Sequence, residues 1–144
     1  MVNESAYREA SARATPLPCV FAVALQARQV ECELAGKQSL AEREVLACIQ
    51  PTAHLNCEML ERLLLERATF PLHLHPHAPL THATVMRLQC GGLRGLQQAL
   101  AASRADVHRM VRQAQDEHGS LTGLPWDQIV QTIVAWRPRR RSSS

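Results

Sequence analysis

Three histidines at alternate positions, His73, His75 and His77, with His82 close behind, form the densest set of ligating side chains in the chain. In an extended segment, residues two apart point to the same side, so these imidazoles could converge on Zn²⁺ or Ni²⁺. His54 and Cys57, spaced HxxC, could add ligands. Structural metal sites usually bring paired cysteines or carboxylates at defined spacings, and the histidines lack that pattern. The reading carried forward is a surface connector with Leu74 inward and the histidines outward, and no metal or cofactor is expected.

Nucleophilic chemistry has little to start from. No GxSxG turn is present, and Cys57 and Cys90 are each candidate thiolates, but with only scattered histidines elsewhere in the chain they read as buried thiols. The glycine-rich stretch CGGLRG lacks both the strand before a phosphate loop and the Lys-Ser/Thr after it. No enzymatic activity is expected.

The other chemistry is charge. Between Ser103 and Gly119, Val107, Met110, Val111 and Ala114 recur at helical spacing and make one apolar stripe. Arg104, His108 and Arg112 recur every four residues on another face, with Arg109 beside them. A helix with an apolar back and a basic front can lie on a phosphate backbone; a solvated surface helix has the same pattern. Ser103 is placed as its N-cap and Gly119 at its C′ position.

Helices are expected to position these residues. Cys19 to Leu34 reads as a buried helix, although Phe21, Val23 and Leu25 alternate as in a strand. SLAE at Ser39 to Glu42 is a capping box that predicts a helix to about Gln50, with Ala41, Val45, Cys48 and Ile49 inward and Pro51 as its stop. Thr52 or Asn56 caps the next, with Met59, Leu60, Leu63 and Leu64 inward and Glu58, Glu61, Arg62 and Glu66 outward. Phe70 to Leu80 holds three prolines and is an extended connector. Thr81 caps a short helix to about Cys90, which Gly91-Gly92 break. A helix from Leu93 to Ala102 precedes the basic one. The last starts at Pro125 and turns Trp126, Ile129, Val130, Ile133 and Val134 inward.

Composition agrees with helices. Hydrophobic residues are 46% of the 144 and aromatics only 3%, so Leu, Ala, Val and Ile must fill the core. Net charge is +3, unevenly spread: residues 1–67 balance at −2 and residues 68–144 at +5, much of it in the tail RPRRR. That asymmetry points to an anionic partner for the second half. Five cysteines without a CxxC pair, a polar N-terminus without a leader-like run, and no apolar stretch long enough for a bilayer give a reduced, cytoplasmic chain with no membrane role.

Leu93 to Arg112, LRGLQQALAASRADVHRMVR, resembles the helix-turn-helix of phage-repressor and YdaS-like regulators. Leu96, Leu100 and Ala102, then Val107 and Met110, match the inward positions of two short helices joined by a turn of three to four residues. Gln97 stands where that family has a small residue, and Ala101 where it has a glycine. The resemblance implies that Ser103, Arg104, Ala105, His108 and Arg109 face duplex DNA, with Ser103 or Arg112 on phosphate. SLAEREVL also echoes the opening of response-regulator DNA-binding domains.

The expectation is an all-α fold of six to seven short helices in one domain over 16–136, with possible halves 16–69 and 81–136. The Pro/His-rich connector lies at about 70–80. Residues 1–15 are a flexible N-terminus and 137–144 a disordered basic tail. The expected function is a small bacterial DNA-binding or transcription-regulatory protein. The alternatives are a helical protein-interaction or adaptor protein of unassigned process, and a metal-binding protein acting through His73, His75 and His77. The oligomeric state stays open, with a dimer as the form such readers usually take.

Overall fold

The computed structural model describes residues 17–40 and 43–138. The expected N-terminal arm, most of the basic tail, Ala41 and Glu42 lie outside the described residues.

The fold is mixed α/β, not all-α. A three-stranded antiparallel sheet in the order β1-β3-β2 is built from β1 (Leu17–Pro18), β2 (Ala35–Leu40) and β3 (Arg43–Cys48). The helix predicted from the SLAE motif is therefore a β2–β3 hairpin, with Ala35 opposite Cys48 and Leu40 opposite Arg43. A capping box needs a free helical turn after it. Here the backbone groups of 43–48 are taken by β2 on one side, and Leu17 and Pro18 of β1 pair on the other. The echo of response-regulator domains falls with that helix. The Cys19–Leu34 prediction also shrinks: only α1 (Ala22–Gln26) is helical, and Arg28 leaves it at a φ of 58°.

Pro51 starts a helix instead of stopping one. Helix α2 (Pro51–Ala68) has Pro at its first position, where a missing N–H costs nothing, and Gln50 as its N-cap. The Gln50 side chain accepts from the Ala53 amide at 2.8 Å. Leu60, Leu63 and Leu64 are buried as predicted, but Met59 is 50% exposed and Ile49 64% exposed.

The connector after α2 has no helix, and His73, His75 and His77 are exposed there while Leu74 is half-buried. Thr81 then caps α3 (His82–Met86), its Oγ1 accepting from the Thr84 amide at 3.1 Å. Gly91 and Gly92 do not interrupt the helical path. A π-helical turn, Arg87–Gly91, runs straight into α4 (Gly92–Leu100). The extra residue of such a turn rotates the later side chains about the axis. It brings Gln89 inside, where its Oε1 accepts from the Ala24 amide and its Nε2 donates to the Val20 carbonyl, both at 3.1 Å. The glycines serve close packing: a Cβ on Gly91 would lie 2.9 Å from the Ile133 Cα, and one on Gly95 3.0 Å from the Ile129 Cα.

Helices α5 (Val107–His118) and α6 (Trp126–Ala135) complete the chain. Trp126, Ile129 and Ile133 are buried, Val130 is half-buried and Val134 is partly exposed. Buried residues from Phe21 to Trp136 join in a single hydrophobic cluster. Among the described residues no helix is long and apolar enough to cross a membrane.

Candidate functional site

The basic face forms at the N-terminal end of α5, and the segment before β2 builds half of it. Asp106, not Ser103, is the N-cap, so Ser103 and Arg104 lie in the loop before the helix. Its Oδ1 accepts from the Arg109 amide at 3.1 Å, as a capping aspartate should. Its Oδ2 accepts from the Glu33 amide at 3.0 Å. The carboxylate is 3% exposed, and both its oxygens have amide partners. On either side of it the Glu31 amide donates to the Ala105 carbonyl and the Val107 amide to the Glu31 carbonyl, each at 2.9 Å. Residues 31–33 thus lie against 105–107 as a short parallel bridge.

This backbone zipper brings two carboxylates onto the basic face. Glu31 and Glu33 are two residues apart in extended chain, so both point outward, with Cys32 between them pointing in. Arg104 donates from Nη2 to Glu31 Oε1 at 2.7 Å. Arg109 donates from Nε to Glu33 Oε2 at 3.2 Å, and His108 Nε2 stands 3.7 Å from Glu33 Oε1. Pairing with Glu31 pushes the Arg104 guanidinium further up from its ordinary value, which holds its charge on that carboxylate. Arg112 is exposed one turn later, in a shallow cleft that it shares with Glu33, Asp116 and Glu117.

The structure therefore gathers Arg104, His108 and Arg109 around Glu31 and Glu33, with Arg112 at the margin and Ser103 exposed in the loop. Behind them Val107, Met110, Val111 and Ala114 are buried, as their spacing predicts. Six residues, 101–106, separate α4 from α5, where the sequence predicts three to four. Ala101 takes a left-handed φ of 52° at the end of α4, the conformation a glycine would adopt at no steric cost. Gln97, half-buried, donates from Nε2 to the Ala102 carbonyl at 3.2 Å, so its polar end serves the turn.

Sequence reasoning misses Glu31 and Glu33 as site residues because their segment reads as helix. Their alternation around Cys32 is the available signal. The histidine cluster does not assemble: His73 sits at a φ of 55°, and among the described residues no three His, Cys, Asp or Glu side chains stand at ligating distance from one point. His54 is not available as a ligand either. Its Nε2 lies 2.9 Å from the Pro18 carbonyl and its Nδ1 2.9 Å from Glu58 Oε1. No family model, curated protein or solved structure matches this chain.

Proposed function

We propose that this chain is a protein-interaction module, an adaptor that binds a partner protein through apolar side chains on the outer face of α2. One contrast carries the reading. Arg104, His108 and Arg109, which would meet an anionic partner, stand against the chain's own Glu31 and Glu33, while large apolar side chains stand uncovered. Leu55 is 65% and Met59 50% exposed, one turn apart on the same face of α2. Phe70, just past the end of that helix, is 87% exposed. Exposed apolar groups at helical spacing are a common signature of partner surfaces. The reading includes a reducing, cytoplasmic setting, which the five free cysteines favour.

A second reading, duplex-DNA binding, is favoured by one observation: Ala101 holds a left-handed turn at the position where the regulators resembled by Leu93–Arg112 have glycine. The ion pairs of Arg104 and Arg109 are exposed, so phosphates could compete for them.

One pair of experiments separates the two. The full-length chain is used to capture partners from the cells that express it, beside a Leu55→Asp/Met59→Asp variant of unchanged helical circular dichroism. A protein retained by the native chain and lost with the variant supports the module. Salt-dependent binding of random duplex at low ionic strength, lost in Arg104→Ala/Arg109→Ala, would replace it with the DNA reading, because phosphate contacts release counterions.

A further inference from the structure

Two arginines from distant parts of the chain meet on one carbonyl at the end of α6. Gly91 packs against Ile133 and Trp136, and Gly95 against Ile129 and Thr132, so the π-helical turn and α4 run antiparallel along α6. Arg87, the first residue of that turn, therefore reaches the last turn of α6. Its Nε donates to the Ile133 carbonyl at 3.2 Å and its Nη2 to the Val134 carbonyl. Arg137, just past the helix, folds back onto it. Its Nη1 donates to the same Val134 carbonyl at 3.0 Å and to the Trp136 carbonyl at 2.8 Å.

Capping accounts for one of these charges but not for two. The carbonyl end of a helix carries roughly −0.5 of a charge, which one guanidinium already outweighs; two leave an excess of about +1.5. Among the described residues neither Arg87 nor Arg137 has a carboxylate at ion-pair distance. Burial, and after it the Arg137 charge, hold the Arg87 guanidinium below its ordinary value. Arg87 Nη1 and Arg137 Nε and Nη2 have no acceptor among the described residues, so both forks keep donors for a group from outside. The neighbouring cleft is free of carboxylates too. It holds about 400 Å³ between α4 and α6 and ends at Trp136, the residue before Arg137. Arg94, Gln98, Gln128 and Gln131 line it and are exposed. Its volume is that of a small-ligand site.

We propose that this end of the molecule binds a small phosphate monoester, with its phosphate on Arg87 and Arg137 and its polar body in the cleft of Arg94, Gln98, Gln128 and Gln131. Guanidinium forks match phosphate oxygens in both geometry and charge. A phosphate dianion offsets the excess charge and the repulsion between the two arginines, where a single carboxylate would offset less of it. The carboxamides carry no charge to repel the phosphate. Each can donate and accept, which suits the hydroxyls of a sugar or the ring heteroatoms of a base. Arg94 adds a third cation along the path. The site uses no residue of α2 or of the α5 face, so it is independent of both readings above.

The test is heteronuclear NMR of the full-length chain at low salt, reading arginine Nε–H and glutamine side-chain amide signals. The probes are inorganic phosphate, AMP, glucose 6-phosphate and adenosine, with sodium chloride of equal ionic strength as the control. Phosphate is expected to shift the Arg87 and Arg137 signals to saturation. AMP or glucose 6-phosphate should bind about tenfold tighter than phosphate and shift Arg94 and Gln131 as well, while adenosine should not bind. Arg137→Gln should weaken all phosphate probes, and Gln128→Ala/Gln131→Ala only the esters. Arg139→Ser/Arg140→Ser/Arg141→Ser should change neither. The native chain's own shifts decide the matter if a variant fails to fold. Equal shifts with chloride, no saturation with phosphate, or loss with the 139–141 variant but not with Arg137→Gln would each overturn the site. Esters no tighter than phosphate, or adenosine as tight as AMP, would overturn the assignment of a phosphate monoester.

Discussion

Asp106 accepts the Glu33 amide with one carboxylate oxygen and the Arg109 amide with the other, at 3.0 and 3.1 Å. A single buried side chain thus caps α5 and fastens the segment that carries Glu31 and Glu33, 73 positions from Glu33 in sequence. Replacing it leaves two donors without partners. Asp106→Ala is expected to lower stability by about 2 kcal/mol, the sum of a lost cap and a stranded amide. Asp106→Asn, with one acceptor oxygen, should fall between. Urea unfolding followed by circular dichroism checks the order, and equal midpoints for all three chains would contradict it.

The glycines of the π-helical turn and α4 are set by neighbouring backbone. Gly91→Ala would place its Cβ 2.9 Å from both the Ile133 Cα and the Trp136 Cβ. Backbone cannot rotate aside as a flexible side chain can, so the variant should lose about 1–3 kcal/mol. Gly36→Ala, in β2, meets nothing within 4 Å and should be neutral or slightly stabilising. Comparison of the two urea midpoints is the measurement.

The register of α2 gives a sharp contrast between adjacent residues. Leu60 is fully buried and Met59 half-exposed. Leu60→Ala should cost about 2–5 kcal/mol, as core truncations do. Met59→Ala should stay within about 0.5 kcal/mol of the native chain. Similar losses for both would mean that α2 is rotated from the orientation described.

Cys90 makes the stability depend on alkaline pH. Burial pushes its thiol up from the ordinary 9.0, with Arg94 pulling less strongly the other way. The native chain then holds the proton where the unfolded chain has lost it. Stability from this group is present below pH 9 and is lost as pH rises from there through the native value. In reductant, the urea midpoint should fall above pH 9, and less steeply for Cys90→Ala. Iodoacetamide at neutral pH should modify Cys90 only when the chain is unfolded.

The stripe Val107, Met110, Val111 and Ala114, the inward residues Trp126, Ile129 and Ile133, the Thr81 cap and Gly119 at its positive φ of 76° could all be read from the sequence. Each depends on residues three or four apart, and a helix closes its hydrogen bonds within itself. The hairpin could not be read in this way. SLAE has the composition of a capping box, and nothing within 35–48 reveals that β1 will claim the far side of β3.

Tertiary structure alone decided the rest. Pairing of 31–33 with 105–107 turned an apparently free basic face into one matched by Glu31 and Glu33. It also brought Cys32 to the wall of a small cavity that Cys19, Cys48 and Cys57 line with it, residues that share no local spacing. Sequence determined the helices because their periodicity is local. Contacts between distant strands and loops depend on how the whole chain closes, and in this protein the charge pairing and the thiol cluster both rest on such contacts.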